Sequence, residues 1–311
     1  MHNYITIDGG TTNTRVSLVC ENKIVDTIKS NIGAKMGIEN NKLLKNTVKK
    51  GIDEIIRKNN LTQGDVTAIL ASGMITSELG LFALEHIMAP AGIKELAENI
   101  STVMLEDVCE IPISFVRGVK KGTSFKNTDM MRGEETELIG LLEEGSAESI
   151  YLLMGSHTKL IKTDAYGRIF DFSTMMTGEM VAAITQNTIL KSAVSLENNQ
   201  ADTEYLIKGY EYCRENGMNE ALFKVRILKN LFGEKDVQTY SFFMGILLSG
   251  EIDYIRNSGI KNVVVSGNKP LKYALSKALS AFDDLDVKTI SDELSEQCVS
   301  KGLVKIYEYN I

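Results

Sequence analysis

The chain has 311 residues, 43% of them hydrophobic, which is enough to bury the core of one large domain or of two ordinary lobes without disulfides. Its 34 basic and 41 acidic side chains leave a net charge of −7, which gives no general attraction to nucleic acid or anionic lipid. No run approaches the ~18 to 20 apolar residues of a membrane helix, and the scattered Cys20, Cys109, Cys213 and Cys298 lack the short spacings of a zinc site or a redox pair.

Short apolar runs alternate with longer amphipathic stretches, the pattern of an α/β fold. The start, Met1 to Asp8, moves straight into a strand with no basic leader and apolar stretch before it, and predicts a cytoplasmic protein. The strand over residues 4–7 ends at Asp8; Gly9-Gly10-Thr11-Thr12-Asn13 follows, and a second strand over 15–20 leads away. This describes a β-hairpin. Glycines let the backbone approach a polyphosphate, hydroxyls and main-chain N–H groups donate to its oxygens, and Asp8 is placed to hold Mg²⁺ through water. An ordinary hairpin with a Gly-Gly turn has the same pattern. The Gly-Lys-Ser/Thr of a P-loop is missing, and a hairpin is not the strand-to-helix turn of a Rossmann site.

Strands are predicted next at 23–30 and 66–72. Between them Leu43, Leu44, Val48, Ile52, Ile55 and Ile56 recur near helical spacing, so a helix over 40–59 packs one face on a sheet. His86, among Leu84, Ile87 and Met88, is expected to be a packing histidine.

After a strand at 113–116, the segment 130–140 contains Arg132-Gly133-Glu134-Glu135-Thr136-Glu137. Its acids fall in an expected first helical turn, where the helix dipole favours negative charge, and capping alone accounts for them. With Arg132 in front, the set also suits catalysis: a guanidinium grips a substrate carboxylate while a side-chain carboxylate takes a hydroxyl proton.

A strand at 149–154 then runs into Gly155-Ser156-His157-Thr158-Lys159 and a strand at 159–163, repeating the logic of the first hairpin. Two such turns point to phosphate more strongly than either alone. Lys159 is expected to neutralise phosphate or carboxylate charge. His157 has no Ser, Cys or Asp partner in sequence that would make a triad, and is expected to be a polar binding residue.

A strand at 168–172 leads to Thr177-Gly178, ahead of a helix to about residue 192; the turn either offers N–H donors to an anion or is a plain N-cap. Residues 201–257 carry three helical patterns and no strand. A strand at 262–266, the Gly267-Asn268 turn and a helix started by Pro270 suit a purine-binding ledge. A last helix opens with Ser291, Asp292 and Glu293.

In this order and at these separations, the segments resemble the 2-dehydro-3-deoxygalactonokinase family, of the actin/hexokinase-like superfamily of sugar kinases. The closest stretches are 7–15, 131–140, 155–159 and 171–179, and Met131-Arg132-Gly133-Glu134-Glu135-Thr136 is the most diagnostic. Weaker similarity at 223–226, 245–250 and Ser266-Gly267 extends the resemblance to nearly the full chain.

The resemblance implies an α/β fold of two actin-like (ribonuclease H-like) lobes with mixed sheets and an interlobe cleft. The first lobe is expected to comprise 1–118 plus 293–311, and the second 119–292 with a helical insert at about 201–257. It implies transfer of the γ-phosphate of ATP, with Mg²⁺, to the 6-hydroxyl of 2-dehydro-3-deoxy-D-galactonate, a small-molecule sugar acid. No nucleic-acid or membrane partner is implied, and homo-oligomer formation is left open.

On this resemblance Asp8 organises Mg²⁺, and ATP is held by Asp8, Gly9, Gly10, Thr11, Thr12, Asn13, Gly155, Ser156, Thr158, Gly267 and Asn268. Glu134 accepts the hydroxyl proton, with Glu135 the competing choice. Arg15, Arg132, His157, Lys159 and Thr177 bind the sugar acid.

The chain also departs from the family pattern. Gly9 stands where an aromatic residue is usual, Met154-Gly155-Ser156-His157-Thr158-Lys159-Leu160 replaces a Pro-Gly-Thr-His-Cys-Lys-Trp type of string, and Asn268 stands where a threonine is common. These departures keep two rivals in view: a kinase for another 2-keto-3-deoxy sugar acid, and a non-catalytic sugar-acid sensor on the same scaffold.

Overall fold

The computed structural model describes residues 2–197 and 200–310, with the backbone alone over 37–41. They form two compact units, one of Met1–Ser146, Tyr166–Asp171 and Glu296–Ile311, the other of Ala147–Ala165 and Phe172–Ser295. Residues 119–146, expected in the second lobe, therefore belong to the first unit.

The first unit contains β1 (Asn3–Gly9), β2 (Thr14–Cys20), β3 (Lys23–Ser30), α1 (Gly37–Lys58), β4 (Ala68–Gly73), β5 (Ile87–Met88), α2 (Ile93–Glu98), β6 (Ser101–Val103), β7 (Ile113–Phe115), β8 (Val119–Lys121), β9 (Asp129–Met131) and α3 (Glu134–Leu141). There follow β10 (Ser149–Met154), β11 (Thr158–Thr163), β12 (Ile169–Met175), α4 (Thr177–Asn187), α5 (Thr203–Asn216), α6 (Met218–Asn230), α7 (Asp236–Leu247), α8 (Ser249–Ser258), β13 (Asn262–Gly267), α9 (Leu271–Leu279), β14 (Asp286–Thr289) and α10 (Asp292–Glu308). Every strand expected from the sequence is present. Among the described residues four helices, α5 to α8, fill the stretch where three patterns were read.

In the first unit the sheet order is β3-β2-β1-β4-β7-β6, with β1 antiparallel to β2 and parallel to β4. Side chains alternate faces along a strand, so Ile5 and Ile7 join Val16 and Leu18 on the face that buries Leu44, Val48, Ile52 and Ile55 of α1. Thr6, between the two isoleucines, faces the other way and shares a 2.8 Å hydrogen bond with Ser300 of α10. The small β5-β8-β9 sheet and α3 tie 119–146 to this unit. A Cβ on Gly140 would lie 1.9 Å from the Cys298 carbonyl oxygen and one on Gly302 1.9 Å from that of Thr136, so α3 and α10 cross backbone to backbone. Lys305 Nζ donates to the last carbonyls of α3, those of Ile139 and Leu142.

The second unit repeats the same core arrangement. Its sheet order is β12-β11-β10-β13-β14; β10 is antiparallel to β11 and parallel to β13. Helices α5 and α7 cross through Gly209 and Gly245, where added Cβ atoms would lie 2.1 and 2.0 Å from facing carbonyl oxygens. Among the described residues, no helix is long and apolar enough to cross a membrane.

Candidate active site

The first hairpin closes on the pairs Asp8–Arg15 and Gly9–Thr14. Across its tip Gly10 N donates to Asn13 O at 2.9 Å, and Thr11, Thr12 and Asn13 are exposed. The segment behind braces the turn: Ala34 N donates to Gly10 O at 3.0 Å, Lys35 N to Thr11 O at 2.9 Å, and Thr14 Oγ1 to Ile32 O at 2.7 Å. Gly33 lies so close that a Cβ there would come within 2.6 Å of Asn13 N.

Three glycines bring α3 to the end of β1. Parallel pairing sets Gly9 beside Gly73; a Cβ on Gly73 would lie 2.6 Å from Gly9 O, and one on Gly133 3.0 Å from Gly73 Cα. Gly73 and Gly133 have φ of +89° and +110°, the region that favours glycine. Glu134 thereby comes close enough to Asp8 for their charges to interact. Asp8 keeps 31% of its side chain exposed, and Arg15 Nη1 lies 3.9 Å from its Oδ2. Crowding by surrounding protein raises the Asp8 pKa; Arg15 opposes the shift and Glu134 adds to it. Beside Asp8 on β4 stands Ser72, buried, its hydroxyl without a hydrogen-bond partner among the described residues.

The adjacent acids of α3 have different surroundings. Glu135 is fully buried; both of its oxygens accept from Gly133 N at 2.9 Å, and Oε1 also accepts from Thr136 Oγ1 at 3.2 Å. Burial first, and then the charge of Glu134, push its pKa up to about 8, so it carries a proton at neutral pH. Glu134 is half-buried, and its Oε2 accepts from Arg132 N at 2.9 Å. Between the two candidate bases, Glu134 is the one that reaches solvent.

Arg132 is not available to grip a ligand in the way its position suggested. Its guanidinium donates to Thr76 O at 2.7 Å, Thr76 Oγ1 at 2.9 Å, Leu84 O at 2.9 Å and His86 Nδ1 at 3.4 Å. It staples the 76–86 loop, and burial lowers its pKa. His86 is thus a polar partner as well as a packing residue.

In the second unit the hairpin turn lies between Leu153 and Lys159. The start of α4 rests on it: a Cβ on Gly178 would lie 2.1 Å from Gly155 O, and Glu179 N donates to Ser156 O at 3.0 Å. The end of β13 closes on its other side, Asn268 N donating to Met154 O at 2.7 Å, while Gly267, at φ +106°, leaves no room for a Cβ beside that carbonyl. Gly267 and Asn268 are therefore gathered about the Met154 carbonyl, and Gly155 and Ser156 about the start of α4.

His157 is exposed and pairs with Glu179, Nε2 to Oε1 3.2 Å. Thr158, Lys159 and Thr177 are buried. Lys159 Nζ donates to Thr174 Oγ1 at 2.7 Å, and the Thr177 hydroxyl donates to Glu251 Oε1. The surface roles expected of these three side chains give way to inward ones, because both faces of β11 are covered and α4 seats Thr177 against Glu251.

Sequence reasoning missed Ser72, Gly73 and Glu251. The signal for Glu251 was an acid among Leu248, Ile252 and Ile255, on what is otherwise an apolar helical stripe.

A solved Sinorhizobium meliloti structure bearing the designation 2-dehydro-3-deoxygalactonokinase superposes with a TM-score of 0.78 over 99% of both chains at 24% identity. The activator of 2-hydroxyisocaproyl-CoA dehydratase from Clostridium difficile, with bound ADPNP, superposes with a TM-score of 0.51 over 99% of this chain and 94% of its own at 11% identity. The fold, with its repeated hairpin and parallel strand, is that of the actin-like ATPases and kinases. Within that class, the profile of the 2-keto-3-deoxy-galactonokinase family matches residues 8–306. The chain belongs to this family of ATP-dependent sugar-acid kinases. It is 25% identical over 279 residues to 2-dehydro-3-deoxygalactonokinase of Escherichia coli K12, covering 87% of each chain. It is 28% identical over 241 residues to the probable 2-dehydro-3-deoxygalactonokinase DgoK1 of Rhizobium meliloti 1021, covering 76% of each.

Proposed function

We propose that this protein transfers the γ-phosphate of ATP to the 6-hydroxyl of 2-dehydro-3-deoxy-D-galactonate. The observation that carries this reading is the pair Asp8 and Glu134: two carboxyl groups brought to one strand end, with Glu134 open to solvent and its neighbour Glu135 buried and neutral. In the transfer the hydroxyl oxygen bonds to the γ-phosphorus, the bond to the departing ADP oxygen breaks, and Glu134 takes the hydroxyl proton. The 10–13 turn of the first unit and the 155–158 turn of the second meet phosphate oxygens through main-chain N–H groups. Gly267 and Asn268 meet the nucleotide. Arg15 and His157, the candidate substrate groups that reach solvent, orient the sugar acid. Arg132, Lys159 and Thr177 act from beneath by fixing the backbone.

The residues present fit a hydrated Mg²⁺. Asp8 and Glu134 crowd their charges together beside the unpartnered Ser72 hydroxyl, while no group of three His, Cys, Asp or Glu among the described residues makes a direct cage. Asp8 would hold the ion through water; when bound, it neutralises phosphate charge. On this reading the two units are the two actin-like lobes. The cytoplasm is the compartment, which suits a chain whose four cysteines form no disulfide among the described residues.

An assay of ADP release with 2-keto-3-deoxy sugar acids epimeric at C4 tests the proposal. Turnover is expected to be highest with the galactonate. Absence of ATP consumption with every such acid would overturn it, and preference for the other epimer would transfer the reading to that substrate.

A further inference from the structure

Beneath the second turn lies a buried carboxyl group that no role above absorbs. Glu251 of α8 is wholly buried beside Ile252 and Ile255. The helix starts against the end of β12, where a Cβ on Gly250 would lie 3.1 Å from Met175 Sδ. From there Glu251 Oε1 accepts from the hydroxyl of Thr177, the first residue of α4. The Thr158 hydroxyl acts on the same carboxyl without reaching hydrogen-bonding geometry, and both Thr158 Oγ1 and Glu251 Oε2 lack a partner among the described residues.

Core packing gives no reason for this choice, since an apolar side chain on the same stripe would avoid desolvating a carboxyl group. Burial raises the Glu251 pKa, and the Thr177 and Thr158 hydroxyls lower it. The two threonines bracket the turn. Thr158 is its last residue, and Thr177 precedes Gly178, where a Cβ would lie 2.1 Å from Gly155 O and 2.9 Å from Ser156 Cα.

We propose that Glu251 is a positioning residue for the kinase reaction, tying the start of α4 to the 155–158 turn from below and thereby setting the main-chain N–H groups that meet the nucleotide phosphates. The inference rests on the reading that this turn holds phosphate. Glu251 itself touches neither substrate. Its effect falls chiefly on nucleotide affinity, with only a small change passed to the sugar acid through His157 on the same turn, whereas loose packing would disturb both alike.

The test uses the full chain. Glu251→Leu and Thr177→Val remove the tie, whereas Glu251→Gln and Thr177→Ser keep an acceptor and a hydroxyl. For each variant the KM for ATP, the KM for 2-dehydro-3-deoxy-D-galactonate, the calorimetric Kd for ADP and the Tm are measured. Expected is a rise of about tenfold in KM for ATP and in Kd for ADP for the first pair, the scale of one buried hydrogen bond. Sugar-acid KM stays within about twofold, the conservative variants recover most of the loss, and the double variant Glu251→Leu/Thr177→Val is no worse than either single one.

Folded variants with unchanged ADP affinity, a parallel rise of both KM values, or additive losses in the double variant would each overturn the proposal. Should Glu251→Leu fail to fold, Thr177→Val against Thr177→Ser decides by the same readings. A wild-type protein that binds ADP but transfers no phosphate would count against the proposed function, while the ADP measurements would still decide the part of Glu251.

Discussion

Glu134 and Glu135 are neighbours in the chain and indistinguishable by composition, yet one is open and half-buried while the other is sealed and protonated. The difference lies in Gly133, whose φ of +110° turns its N–H onto the Glu135 carboxyl. Glu134→Gln is expected to lower kcat by at least about a hundredfold, the usual contribution of a general base, while nucleotide still binds. Retention of full kcat would remove Glu134 from the mechanism.

Glu135 gives a different, pH-dependent signature. Its pKa rises from an ordinary 4.5 to about 8 on folding. Between those values the folded chain keeps a proton that the unfolded chain has released, so stability falls as pH rises through the window and levels off above about 8. Urea melts from pH 5 to 9 should show a slope in the wild type that becomes shallower in Glu135→Gln, the remainder coming from the raised Asp8 and Glu251; an equal slope in both would refute the assignment. The pair as a catalytic candidate was legible in the sequence. Which member faces out was not, because that depends on a backbone angle that only the fold sets.

At the scale of elements, long strands and helices could be read because apolar periodicity repeats enough to be seen. The pieces β5, β6, β8, β9 and β14 hold two to four residues each, too few to show a period, and owe their shape to a paired neighbour. Helix crossings were also hidden, because glycine has no polarity pattern to announce a close approach. Gly302→Ala is expected to destabilise by about 2 kcal/mol or more, since the facing group is a backbone carbonyl that cannot move aside as a flexible side chain would. Gly64→Ala, with only a Thr62 hydroxyl at 3.7 Å, should be neutral or slightly stabilising. Equal melting of the two variants would contradict the crossing. Gly9 belongs here too: a Cβ would lie 2.5 Å from Ile75 Cβ, so Ile75 fills the room beside it. Because alanine keeps that Cβ, Ile75→Gly should relieve more of the stability lost in Gly9→Ala than Ile75→Ala does, a coupling that a double-mutant cycle measures directly.

For the molecule as a whole, the two glycine turns were legible because each interrupts an apolar run in the same way. The division between units was not, since 119–146 carry no linker composition and are claimed by pairing and helix contact alone. The net charge of −7 also acts at this scale, because both substrates are anions. Screening that repulsion should raise kcat/KM for the sugar acid about twofold between 0.01 and 0.15 M ionic strength. A fall instead would mean that a local positive field outweighs the overall charge.

The matching strand orders β2-β1-β4 and β11-β10-β13 mean that one supersecondary design is written twice along the polypeptide. Duplication of an ancestral half would yield such a chain. The candidate carboxyl groups, Asp8 and Glu134, belong to the earlier copy, whereas the later copy has Leu153 where the strand pairing places Asp8 and carries a sheath of helices instead. Selection could then refine chemistry in one copy and nucleotide fit in the other, each change sparing its counterpart.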